Sequence, residues 1–110
     1  EVTFMKLIIA IISKDDGGNV THELISAGYS VTKIPTTGGF LSAGNITLLV
    51  GTEREKVDAA IEIIKKNSRM RKEFVPVTAT DGIGIASLPV EVCVGGATIF
   101  VVDAERYEKA

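Results

Sequence analysis

One histidine, His22, and one cysteine, Cys93, are all that the sequence holds of either residue, and both scarcities close off chemistry. A lone histidine excludes any multi-histidine metal site. With Cys93 far along the chain, a cysteine–histidine dyad has no local support, and His22 reads as a helix surface residue. A single thiol cannot form an intrachain disulfide. Its strand-like surroundings (Val90, Val92, Val94) lead us to expect a buried structural thiol, in keeping with a reducing, cytoplasmic setting. Long apolar runs are missing too: residues 7–12 are far too few to cross a bilayer, and no secretory signal or membrane partner is expected. Without such a signal, the glycosylation patterns at Asn19-Val20-Thr21 and Asn45-Ile46-Thr47 carry no weight. Neither charge is in excess. Twelve Lys and Arg against fourteen Asp and Glu leave a net charge of −2, too balanced to draw a polyanion, so nucleic acid is not an expected partner. No linker or low-complexity tract divides the chain.

What remains is 110 residues with 45% hydrophobic and 24% charged side chains, the make-up of one globular domain. A chain of this size buries about two-thirds of its unfolded surface. Little interior is spare for an enclosed active site, and a ligand site between subunits suits it better. Residues 4–12 form a near-continuous apolar run, the pattern of a central strand covered on both faces. Asp15 and Asp16 stand at the start of a helix expected over about 16–27, with Val20, Leu24 and Ala27 at helical spacing and Gly28 at its left-handed cap. Strands follow over 29–36 and 46–50. Thr52 and Glu55 match a Thr-x-x-Glu capping box, and Val57, Ala60, Ile61 and Ile64 then recur at i, i+3, i+4 and i+7. Residues 73–78 read as a further strand. Leu88, Val90, Val92 and Val94 alternate before Gly95-Gly96, the composition of a two-residue hairpin turn leading into 97–102. The order predicts an α+β sandwich of the ferredoxin-like βαββαβ type with an extra C-terminal hairpin, both helices on one sheet face. The first strand and the fourth, over 73–78, supply apolar side chains to both faces, so the uncovered face calls for oligomerisation.

Enzyme templates fit poorly. The glycines over 39–45 have P-loop spacing, but Asn45 stands where the lysine belongs and Ile46 where the magnesium-binding hydroxyl belongs. Residues 82–86 resemble half of a dinucleotide fingerprint but lead into a strand rather than a helix. Asp15 and Asp16 are accounted for by the helix start, where acidic side chains are stabilising. No paired acid, base or nucleophile stands near an anion-binding loop, and no catalytic activity is expected. The unusual stretch is 32–45, which mixes hydroxyls, adjacent glycines and Phe40. Bare backbone lets an anion approach N–H groups. An aromatic ring such as Phe40 stacks on a base with roughly 1 to 3 kcal/mol, and the Asn45 amide matches an adenine edge. On composition alone a plain strand-to-strand turn with Phe40 capping the core is the preferred reading.

Thr36-Thr37-Gly38-Gly39-Phe40-Leu41 followed by Ala43-Gly44-Asn45 resembles the signature of the PII-like cyclic di-AMP receptor family. Residues 5–11 resemble its opening strand and 89–101 its closing hairpin. The resemblance implies a PII-type domain over 5–107, preceded by a four-residue extension, forming a homotrimer with a shortened first loop and an enlarged second one. It implies a non-catalytic signalling protein that binds cyclic di-AMP between subunits, has no other cofactor, and signals through loop ordering to a downstream protein. By motif position, Thr32, Gly39, Phe40, Leu41, Asn45 and Gly51 match residues that line the family's nucleotide site.

Two departures stand out. Ser30 and Ser42 occupy positions where members of the family carry arginines, and a serine hydroxyl cannot replace a bidentate guanidinium on phosphate. Lys33, Arg54, Arg69 and Arg71 are the candidates to compensate. The second loop, 78–87, is also shorter and less polar than in those relatives. The alternative is therefore a PII-like regulatory protein that binds ATP, another adenine nucleotide, or none.

Overall fold

A computed structural model describes residues 4–35, 44–77 and 88–110. Strand β1 (Met5–Ser13) runs straight into helix α1 (Lys14–Ser26). The helix begins two residues earlier than its apolar spacing implies, because the Ser13 hydroxyl caps it by accepting the Asp15 backbone N–H at 3.3 Å. It ends as expected: Gly28 takes φ +95°, and the Tyr29 N–H returns to the Leu24 carbonyl. Strands β2 (Val31–Pro35) and β3 (Asn45–Glu53) follow.

A single 3-10 turn (Arg54–Lys56) then leads into α2 (Val57–Lys66). The expected capping box is absent. Thr52 stays in β3, paired with Lys6 and buried, and no side chain caps the turn or the helix. The apolar stripe of α2 is as its spacing predicts, with Val57, Ala60 and Ile64 buried.

Four strands form one antiparallel sheet in the order β2-β3-β1-β6, where β6 is Ala97–Ala104. The strands β4 (Arg71–Val77) and β5 (Leu88–Val94) pair only with each other. This corrects two expectations. Gly95-Gly96 is not a hairpin turn between β5 and β6, and the extra hairpin is inserted between α2 and the last sheet strand rather than appended at the C-terminus. The reason is the free outer edge of β1, whose unpaired backbone groups take β6 over eight residue pairs from Met5↔Ala104 to Ile12↔Ala97. The fourth place in the sheet thus belongs to 97–104, and 71–77 lies outside it.

One sheet face carries the core. Ile8, Ala10 and Ile12 of β1 and Leu48 and Val50 of β3 are buried under Val20 and Leu24 of α1 and Ala60 and Ile64 of α2. The other face is left open by the helices. It presents Leu7, Ile9 and Ile11 of β1, Leu49 of β3, and Phe100 and Val102 of β6; Phe100 is 53% exposed. The β4–β5 pair extends away as an arm, giving extents of 71 × 26 × 19 Å. Cys93 lies on this arm and is exposed, not buried as its valine neighbours imply, because the arm packs on no core.

Candidate functional site

The open face gathers every candidate site residue that falls within the described residues. Thr32 pairs with Leu49, and Asn45 and Gly51 share the parity of Leu49 on β3, so all three belong to the side of the sheet opposite the helices. They do not converge within one subunit. Asn45 opens β3 and Gly51 lies six residues on, about 20 Å away at strand rise. Gly39, Phe40, Leu41 and Ser42 lie outside the described residues, as do the loop over 78–87 and its glycines.

Asn45 stands beside Ser13 in the β1–β3 register. The preceding Gly44, at φ +106°, accepts the backbone N–H of Lys14 and so turns the chain from the loop into the strand. Around Asn45 is a cleft of about 380 Å³, lined also by Ile11 and Phe100 of the open face and by Met70, Gly95 and Gly96. Gly51 sits in a separate, smaller cleft of about 270 Å³ with Met5, Leu7 and Tyr107. A third, of about 670 Å³, lies on the helix side between Ile61 and Lys65 of α2 and Ile99 and Val101 of β6. The Asn45 cleft is at the low end of ligand-site volumes and is bounded on one side by an uncovered apolar face.

The basic candidates are differently placed. Arg71, the first residue of β4, donates through both terminal nitrogens to the two carboxylate oxygens of Asp16, at 3.2 and 3.0 Å, and through Nε to Glu73 at 3.2 Å. These hydrogen bonds, the one to Asp16 foremost, hold the guanidinium pKa above its ordinary value. Arg54 lies over the Phe4 ring at 5.0 Å. Lys33 and Arg69 are exposed and, like Arg54, make no ion pair among the described residues, so of the four only Arg71 has its charge already matched by carboxylates. Ser30 is exposed immediately before β2. His22 is exposed on α1, as its spacing implies.

Sequence reasoning missed the Asp16–Arg71 pair. Asp16 is explained equally well by its helix start, and nothing local marks a partner 55 positions away.

A four-stranded antiparallel sheet in this order with both helices on one face defines an α+β protein of PII-like fold. The likeness is to a solved structure of PII from Arabidopsis thaliana bound to citrate, with TM-score 0.56 and 16% identity over 94% of this chain and 77% of that one; it is a likeness of fold. Over residues 5–110 the chain matches the family model described as cyclic-di-AMP receptor, and it belongs to that family. It is also similar, with TM-score 0.79 and 38% identity over 99% of this chain and 100% of the other, to a solved protein of unknown function from Pediococcus pentosaceus.

Proposed function

We propose that this protein is a non-catalytic cytoplasmic receptor that binds cyclic di-AMP in clefts between the subunits of a homotrimer and passes the signal on through its loops. The observation that carries the reading is the Asn45 cleft. It sits beside the end of the 36–43 motif, on a sheet face whose apolar side chains require a cover, and its open side is where a neighbouring subunit would complete it. Thr32 acts from the same side of the sheet as Asn45, and backbone groups of 39–41 hold base and phosphate. Gly51, too distant to join Asn45 within one subunit, contributes from a neighbouring copy. Phe40 contacts a purine and Asn45 reads its edge. The cyclic dinucleotide is bound unchanged, and no cofactor takes part.

A second reading has a specific observation behind it. Ser30 and Ser42 lack the phosphate-binding fork of an arginine, and Arg71 is already occupied by Asp16. These departures favour a PII-like regulatory protein that has lost this ligand and binds ATP, another adenine nucleotide, or none. Isothermal titration of nucleotide-free protein with cyclic di-AMP, cyclic di-GMP and ATP in parallel separates the two. Saturable binding of cyclic di-AMP alone, near one per subunit, is expected; binding of ATP alone would transfer the assignment to the second reading. Phe40→Ala and Asn45→Ala should each weaken cyclic di-AMP binding and leave the oligomer intact, whereas unchanged affinity in both would move the site elsewhere.

A further inference from the structure

The Asn45 cleft and the β4–β5 arm meet in one small region. Met70, Gly95 and Gly96 wall the cleft, and they are also the residues through which the chain leaves the body for the arm and returns from it. Neither β4 nor β5 makes any extended contact with the sheet or the helices among the described residues. The orientation of the arm is therefore set at its root.

At that root a charged clamp closes. Arg71 Nη1 and Nη2 donate to both oxygens of Asp16, which is 7% exposed and lies in the first turn of α1. A bidentate guanidinium–carboxylate pair fixes direction as well as distance. Two residues before Asp16, the Lys14 N–H is held by the carbonyl of Gly44, the neighbour of Asn45. On the returning side, Gly96 donates its N–H to the Ser68 carbonyl. Gly95 tolerates no side chain: at φ +84°, a Cβ would stand 2.6 Å from both the Arg69 carbonyl oxygen and Arg71 Nη1. One short path thus runs from Asn45 through Gly44, Lys14 and Asp16 to Arg71, and the wall of the cleft is built from the same root.

We propose that Asp16 and Arg71 are the positioning residues of a joint that couples occupancy of the Asn45 cleft to the orientation of the β4–β5 arm. This rests on that cleft being the nucleotide site. A ligand against Asn45 bears on Gly95 and Gly96 from inside the cleft while the clamp holds the arm from outside, so the ligand and the clamped arm favour the same geometry. Coupling of this kind is reciprocal: loosening the clamp must weaken the ligand.

Cys93, the only cysteine and exposed on β5, allows the full chain to carry one nitroxide on the arm. Calorimetry with cyclic di-AMP on the same labelled samples reports binding separately from arm motion. In the otherwise unchanged protein, saturating cyclic di-AMP should slow the label and narrow the spread of label-to-label distances. Asp16→Asn, which keeps the size and removes the charge, should mobilise the label without ligand, abolish its response, and weaken binding about fivefold or more. Arg71→Gln changes the more exposed partner, and should reproduce this with no further loss in the double variant. Arg71→Lys should restore only part of the response, because a point charge cannot grip both oxygens. Asp15→Asn, one position away and outside the clamp, should behave as the parent. Binding with no change at the label, or an unaltered response in both Asp16→Asn and Arg71→Gln, overturns the joint and leaves the site. Absence of binding overturns the site and the coupling together.

Discussion

Lys6 and Asp103 face each other across the β1–β6 pair, and the Lys6 ammonium donates to the Asp103 carboxylate. That hydrogen bond, and then the Lys6 charge, hold the Asp103 carboxyl below the usual aspartate range. A carboxyl depressed by folding stabilises the native state fully above its unfolded value, about pH 4, and loses the contribution as the pH falls through the depressed one. An NMR titration of the carboxyl carbon should therefore place the Asp103 midpoint below that of an unperturbed aspartate, and Lys6→Met should bring it back up. The effect on acid unfolding should be slight, since Asp103 is largely in solvent. At this scale the sequence was readable wherever a residue's role is local. Gly28 as a helix cap, His22 on a helix surface and the alternation of Ile46, Leu48 and Val50 needed only spacing. Asp16 with Arg71, and the exposure of Cys93, depend on which distant segment arrives alongside, and no nearby residue encodes that.

At the scale of elements, two glycines with nearly the same backbone have different tasks. Gly28 has φ +95° and open space where a Cβ would stand; Gly95 has φ +84° and meets a backbone carbonyl there. Gly28→Ala should cost only the left-handed strain, about 1–2 kcal/mol. Gly95→Ala adds a contact that only movement of the arm root relieves, and it should lower the denaturant midpoint at least twice as far if the root is as rigid as its hydrogen bonds imply. Equal losses in the two variants would mean that the root yields freely. The strands and α2 were legible because an alternating or 3.6-residue pattern needs one buried face. Partner choice was not. β5 alternates as a sheet strand does, and Gly95-Gly96 has hairpin composition, yet the free edge of β1 takes β6 and leaves β5 with β4. Pattern specifies a strand and its faces, and competition between edges decides its neighbour.

The whole molecule has a radius of gyration of 18.0 Å, against about 13 Å for a compact chain of this length. The arm accounts for the excess, and the body that remains exposes one apolar sheet face. The need to cover that face was visible in the first strand, where 4–12 carries apolar residues at both parities. Ile8 and Ile9 separate the two tasks within one step of the chain. Ile8 is fully buried under the helices, while Ile9 faces the other way between Leu49 and Phe100. Ile8→Ala should cost about 2–5 kcal/mol of stability and leave the oligomer's stoichiometry unchanged. Ile9→Glu should do the reverse, giving folded monomers by sedimentation velocity where the parent should sediment as a trimer, because a carboxylate on this face cannot be desolvated without a partner. The same variant should lose cyclic di-AMP binding although none of the nucleotide-site positions is altered, since the Asn45 cleft then lacks its second wall. A trimer that survives Ile9→Glu would show that the subunits meet elsewhere, and the cleft would have to bind its ligand from one subunit alone, without Gly51.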